Sequence, residues 1–219
     1  MDFAFAGYLW YKKESKLLWI PIAYFGVMEL LQFLTYFYLD ACTPTNQILT
    51  FLSYLHISFQ PFFINALMLY FVPKNFRKKI IGWVFFIAFI ATILMLVRIY
   101  PFDWAGSCTI GTVLCGERLC SIPGSIHLAW EMPINGIGGI IAWTYTLSVF
   151  LIPLSYGAWK ATAYNVLAGP VIARALTSNP NEWPAVWCLL SVAYIFLIII
   201  PGFKKLLTQK KWYFWKYPK

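Results

Sequence analysis

Charge is what this sequence has least of. Only 11% of its 219 residues are Asp, Glu, Lys or Arg, and eight of those are acidic; a soluble domain carries about 25%. The scarcity excludes a water-solvated surface over most of the chain. Histidine occurs twice, so a three-histidine metal site cannot form, and neither HExxH nor a paired ExxH is present. The opening Met1-Asp-Phe-Ala-Phe-Ala-Gly7 has no basic region and no small-residue cleavage pattern, so no signal peptide is expected and the first span would serve as the signal.

What fills the chain instead is apolar: 61% hydrophobic and 20% aromatic. Several windows exceed the roughly 18–20 apolar residues that cross a hydrocarbon core of about 30 Å. The expected fold class is therefore all-α, a polytopic membrane helix bundle forming a single transmembrane domain over 1–219. Its six full spans fall at about 17–39, 47–72, 79–98, 127–156, 158–176 and 182–203. The apolar piece 2–11 reaches only about 15 Å, as an interfacial or half-crossing helix or a shortened seventh span. Gly169-Pro170 interrupts the fifth span, which is read as a broken crossing. The third, nearly free of polar side chains, is read as a lipid-facing wall.

The net charge of +9 flanks apolar runs rather than forming a stripe among aromatic readers, which speaks against nucleic acid. Fourteen lysines and arginines fall on one side of the expected spans; only Arg98, Arg118 and Arg174 fall on the other. The basic side is cytoplasmic by the positive-inside rule. That predicts an inner-membrane, multi-pass protein with a cytoplasmic tail at 204–219, lying on an anionic leaflet, and an external loop at 99–126. Cys42, Cys108, Cys115 and Cys120 all fall on the external side, where disulfides persist. Cys115–Cys120 or Cys42–Cys108 are the expected pairs. Cys188 is left over as a buried apolar thiol.

Polar residues inside the spans carry the functional reading. Glu29, Gln32 and Tyr36 share one helix face, as do Ser53, His56 and Gln60 on the next helix. Counted from the loop between them, Glu29 and His56 lie about 16 Å and about 14 Å deep, so contact between them is expected. Pro61 removes a donor to Ile57 and bends the helix beside Gln60. His127 and Glu131, at i and i+4, face the same way on a helix, with Asn135 beyond Pro133. Glu29, His56, His127 and Glu131 are thus the candidate metal ligands, with Glu29, His56 and Glu131 as candidate acid–base groups, and Gln32, Gln60 and Asn135 in support. Histidine with carboxylate suits zinc or iron. Against this stands the structural reading, because intramembrane polar side chains bond across helices for about 0.6 kcal/mol on average. His56 alone fits that reading. A mid-membrane carboxylate costs roughly 2.5 kcal/mol or more unless paired or protonated, so Glu29 tips the balance toward function.

The segments Met28-Glu-Leu-Leu-Gln32, His56-Ile-Ser-Phe-Gln-Pro61 and Gly124-Ser-Ile-His-Leu-Ala-Trp130 resemble an uncharacterised family of bacterial multi-pass integral membrane proteins. The similarity is spread over most of the chain. The family's longer N-terminal helix implies that 2–11 is a shortened first span; no activity is implied. Ligand types and depth are also similar to those of zinc-dependent seven-helix membrane hydrolases, the alkaline ceramidases and adiponectin-receptor-like proteins, but their HxxxH motif is absent. The leading expectation is a metal-dependent enzyme acting on a lipophilic small molecule in a polar cavity that opens externally. The alternatives are a transporter, proton-coupled through Glu29, and a structural or assembly subunit.

Overall fold

The computed structural model describes residues 1–39, 41–137, 143–192 and 200–209. Most of the lysine–aromatic tail, the glycine pair 138–139 and part of the sixth expected span lie outside them. The chain opens with α1 (Asp2–Tyr11), which packs against α2 (Lys16–Tyr36). Ser15 caps α2 by accepting the Leu17 N–H. Thr43 caps α3 (Pro44–Tyr70) by accepting the Asn46 N–H, with Pro44 preset in the first turn. α4 (Lys74–Val97) follows after a three-residue link. These three helices are long and apolar enough to cross a membrane, and their bounds lie within a few residues of the first three expected spans.

Short links make α2, α3 and α4 antiparallel neighbours, and side chains stitch them together. The Tyr24 hydroxyl of α2 donates to the His56 carbonyl at 2.5 Å. From α4, Thr92 donates to the Ser58 carbonyl at 2.8 Å, and in return Tyr54 donates to the Met95 carbonyl at 2.6 Å. α3 is the central helix and continues through Pro61. The carbonyls of His56 and Ser58, on either side of the Ile57 carbonyl that Pro61 deprives of its donor, therefore serve as cross-helix acceptors. α4 buries only a narrow stripe (Val84, Ala88, Ala91, Thr92, Met95) and turns Trp83, Phe86, Phe89, Ile90 and Ile93 outward.

After α4 the structure departs from expectation. Cys120–Pro123 (β1) and Leu128–Glu131 (β2) form an antiparallel hairpin, Cys120 opposite Glu131 and Pro123 opposite Leu128. The expected fourth span, 127–156, thus begins in a strand, and the molecule is mostly helical with a small sheet rather than all-α. Only three helices have spanning length among the described residues, not six. α5 (Trp143–Ser155) covers about 20 Å at a helical rise, short of a full crossing, and carries a π-helical stretch at Leu147–Leu151. α6 (Trp159–Val166) runs through a second π-helical stretch, Leu167–Val171, into α7 (Ile172–Leu176). There Gly169 allows Trp187 to approach: a Cβ at that position would lie 2.2 Å from the indole nitrogen. α8 (Trp183–Ser191) and α9 (Pro201–Leu207) complete the described helices.

The two ends of the bundle differ chemically. At one end lie the start of α2, the end of α3, the start of α4 and α9. Lys204 bridges to Glu14 at 3.6 Å and sits over the Tyr70 ring, and the Gln209 N–H donates to the Phe71 carbonyl. At the other end lie the four bonded cysteines. They pair as Cys42–Cys120 and Cys108–Cys115, which corrects both expected pairs. The hairpin explains the difference: it carries Cys120 back to the start of α3, beside Cys42, and places Cys115 alongside Met132.

Candidate functional site

The cap at the cysteine end is built from α3 outward. Asn46, fully buried in the first turn of α3, donates to the carbonyls of Tyr38 and Ser121 and accepts the Ser121 N–H, each at 2.8 Å. Thr50, one turn on, meets the Ser121 hydroxyl at 2.7 Å. β1 is thereby fixed on α3. The hairpin tip, Gly124 to His127, closes on Glu182 at the start of α8. The Glu182 carboxylate accepts the backbone N–H groups of Ser125 (3.2 Å), Ile126 (2.6 Å) and His127 (2.5 Å), with the hydroxyls of Ser125 (3.0 Å) and Thr177 (2.6 Å). Three successive N–H groups aimed at one anion form a backbone nest. Gly124 makes the approach possible, since a Cβ there would lie 2.3 Å from the His127 carbonyl oxygen and 2.5 Å from the Glu182 carboxyl carbon. Burial alone would raise the pKa of Glu182; the Thr177 hydroxyl and the three N–H groups override that and hold it at about 2.

Glu182 is the residue that sequence reasoning missed. Its signal was weak but present: one of eight acids, set at a helix start just before Trp183-Pro184. Its partners come from a hairpin that apolar periodicity does not reveal.

The structure does not gather the expected metal ligands. His127 immediately precedes β2 and Glu131 ends it, so extended chain separates them by about 13 Å, where a helix would have stacked them. His127 joins Gln32 and Tyr36: the Tyr36 hydroxyl meets Nδ1, and Nε2 meets Gln32 Oε1 at 3.1 Å. Gln32 Nε2 donates to the Ala185 carbonyl, so Gln32 Oε1 is an acceptor and His127 donates from Nε2. Nδ1 then accepts from Tyr36, leaving no ring nitrogen free for a metal. Burial pushes the His127 pKa down, with Glu182 drawing it partly back up, in keeping with a neutral ring. His56 stacks on the Tyr24 ring and places Nε2 2.7 Å from the Tyr24 carbonyl oxygen. Its hydrogen-bond partner is thus the α2 backbone rather than Glu29. Glu29 shares a helix face with Gly26, against which the buried Asp2 packs, and both carboxyls keep a buried oxygen without a partner. Glu131 lies against Gly116. Asn135 caps α4, donating to the carbonyls of Val97 and Tyr100. Among the described residues no group of three or more His, Cys, Asp or Glu side chains could hold a metal ion.

What the structure does contain is a cavity of about 510 Å³ between α3, α4, the Cys108–Leu114 loop, α5, the Leu167–Leu176 region and α8. Ile57, Met95, Leu114, Phe150, Trp183 and Trp187 give it an apolar wall. Gln60 lines it, though His56 and Glu29 do not; it accepts from the half-buried Tyr145 hydroxyl at 2.5 Å and reaches the Cys188 sulfur at 3.5 Å. Arg98 and Arg174 line it too. Small-molecule sites of about 300–1,000 Å³ with mostly apolar walls and a few placed polar groups are the usual form of a ligand pocket.

Comparison with curated proteins and with solved structures found no match to this chain. One family model does match, that of DUF5765, described as a family of unknown function, over residues 1–208. The chain therefore belongs to this family of unknown function.

Proposed function

We propose that this chain is a multi-pass protein of the inner membrane that takes a lipophilic small molecule into the cavity beside α3, as a carrier or transporter. The cavity is the observation that carries this reading: its volume suits a small molecule, and its outer wall is the loop closed by Cys108–Cys115. The membrane placement is supported by the three long apolar helices and by the outward apolar face of α4, since contiguous exposed apolar surface marks membrane or partner contact. The lysines at the starts of α2 and α4 and in α9 support a cytoplasmic position for that end by the positive-inside rule, with the disulfide end outside. Metal-dependent catalysis loses its support because His127 has both ring nitrogens engaged and Glu131 lies along a strand from it.

Native mass spectrometry of the chain released from mild detergent tests this. The wild type is expected to retain a lipophilic molecule, and Ile57→Trp, which fills the cavity, to lose it by at least about tenfold. Equal retention by both proteins defeats the reading.

A second reading adds proton coupling through Glu29, favoured by the unpartnered carboxyl oxygens of Asp2 and Glu29. In proteoliposomes, Glu29→Gln is then expected to abolish uptake driven by a pH gradient while leaving ligand retention intact. Unchanged gradient-driven uptake rejects the coupling and spares the cavity.

A further inference from the structure

We propose that the occupant of this cavity is an amphiphile whose anionic head, a carboxylate or a phosphate, is held by Arg98, with Arg174 drawing anions toward the opening; this deepens the carrier reading and rests on it. Arg98 follows the last turn of α4 and is only 6% exposed, yet it lines the cavity. Its Nε is buried without a hydrogen-bond partner. Among the described residues no carboxylate pairs with it, the one ion pair being Lys204–Glu14. Among the described residues the lining holds two arginines and no Asp or Glu. The nearby Tyr54 cannot serve as counterion, because its hydroxyl keeps its proton and donates it to the Met95 carbonyl.

A guanidinium does not discharge itself by losing a proton, so an arginine buried without an anion is a site waiting for one. Its planar fork matches carboxylate and phosphate oxygens in pairs. Arg174 is exposed and stacks over the Trp183 ring at 5.0 Å, and Trp183 also lines the cavity. That fixes a second positive charge where it raises the local concentration of anions without being buried itself. Ile57, Met95, Leu114, Phe150 and Trp187 leave an apolar space for the tail.

The test measures binding of four probes to the full chain in nanodiscs of zwitterionic lipid: dodecanoate, dodecyl phosphate, dodecanol and inorganic phosphate. The two anionic amphiphiles are expected to bind about tenfold or more tighter than dodecanol, the size of a charge-assisted hydrogen bond. Arg98→Gln is expected to erase that difference and leave dodecanol affinity unchanged, with Arg98→Lys keeping part of it. Arg174→Gln, at an exposed position that does not threaten folding, is expected to slow association of the anionic probes alone. Dodecanol binding as tightly as dodecanoate overturns the anionic head while leaving the cavity reading standing. Inorganic phosphate binding as tightly as dodecyl phosphate overturns the amphiphile in favour of a free anion. Failure of every amphiphile to bind overturns both.

Discussion

Glu182→Ala is expected to destabilise the folded protein by about 3–5 kcal/mol, since it strips the acceptor from three backbone N–H groups and two hydroxyls at the hairpin tip, each orphaned buried donor costing about 1–3 kcal/mol before water partly repairs the loss. Thermal unfolding of the purified protein in detergent measures it, and amide exchange at Ser125, Ile126 and His127 shows whether the loss is local. A midpoint within a degree of wild type removes the clasp from the account. Glu182→Gln keeps the shape but offers one acceptor oxygen, so an intermediate loss is expected. The same contacts set a pH dependence. With its pKa held below the ordinary value of 4.5, at about 2, the carboxylate contributes its full stabilisation above pH 4.5 and loses it as pH falls toward 2. Glu182→Gln should flatten that acid limb.

Removing Cys42–Cys120 by paired serine substitution is expected to cost about 4.5 kcal/mol, against about 2.5 kcal/mol for Cys108–Cys115, on the loop-entropy account. The first bond spans 78 residues and the second only seven, so the unfolded chain gains far more freedom from losing the first. Unreduced peptide mapping comes before the stability measurement: it should find Cys42 joined to Cys120. A Cys115–Cys120 peptide would instead contradict the hairpin, because β1 places Cys120 on the side of α3.

The parts of the fold legible in the sequence were those where composition alone decides. α2, α3 and α4 are long apolar runs flanked by lysines, prolines or a capping Ser or Thr, and no competing structure accommodates such lengths. The segment Leu128-Ala-Trp-Glu131 was not legible, because a short apolar run reads equally as buried strand or helix. That single ambiguity carried three errors with it: the fourth span, the disulfide pairs and the i,i+4 geometry of His127 and Glu131. In the site, Gln32 and Tyr36 were placed correctly on one helix face, and they do meet a histidine, His127, from the hairpin tip. His56 was expected to meet Glu29, but its Nε2 is engaged instead by the carbonyl of Tyr24 on the same neighbouring helix. Arg98 was counted only as a topology signal; its burial depends on the loop that folds back over the end of α4.

Glu182 lies 55 to 57 residues after the amides it clasps, and it is followed directly by Trp183, Pro184, Trp187 and Cys188, which form one wall of the cavity. A ribosome adding about 5–20 residues per second therefore finishes the hairpin roughly 3–11 s before the residues that shut it. At the start of that interval only α3, α4 and the Cys108–Leu114 loop are in place; α5 and the Leu167–Leu176 region follow, and α8 comes last. Under the proposed carrier role, a lipophilic molecule would meet α3 and α4 before α8 closes the pocket, and the newborn protein would leave biogenesis already loaded.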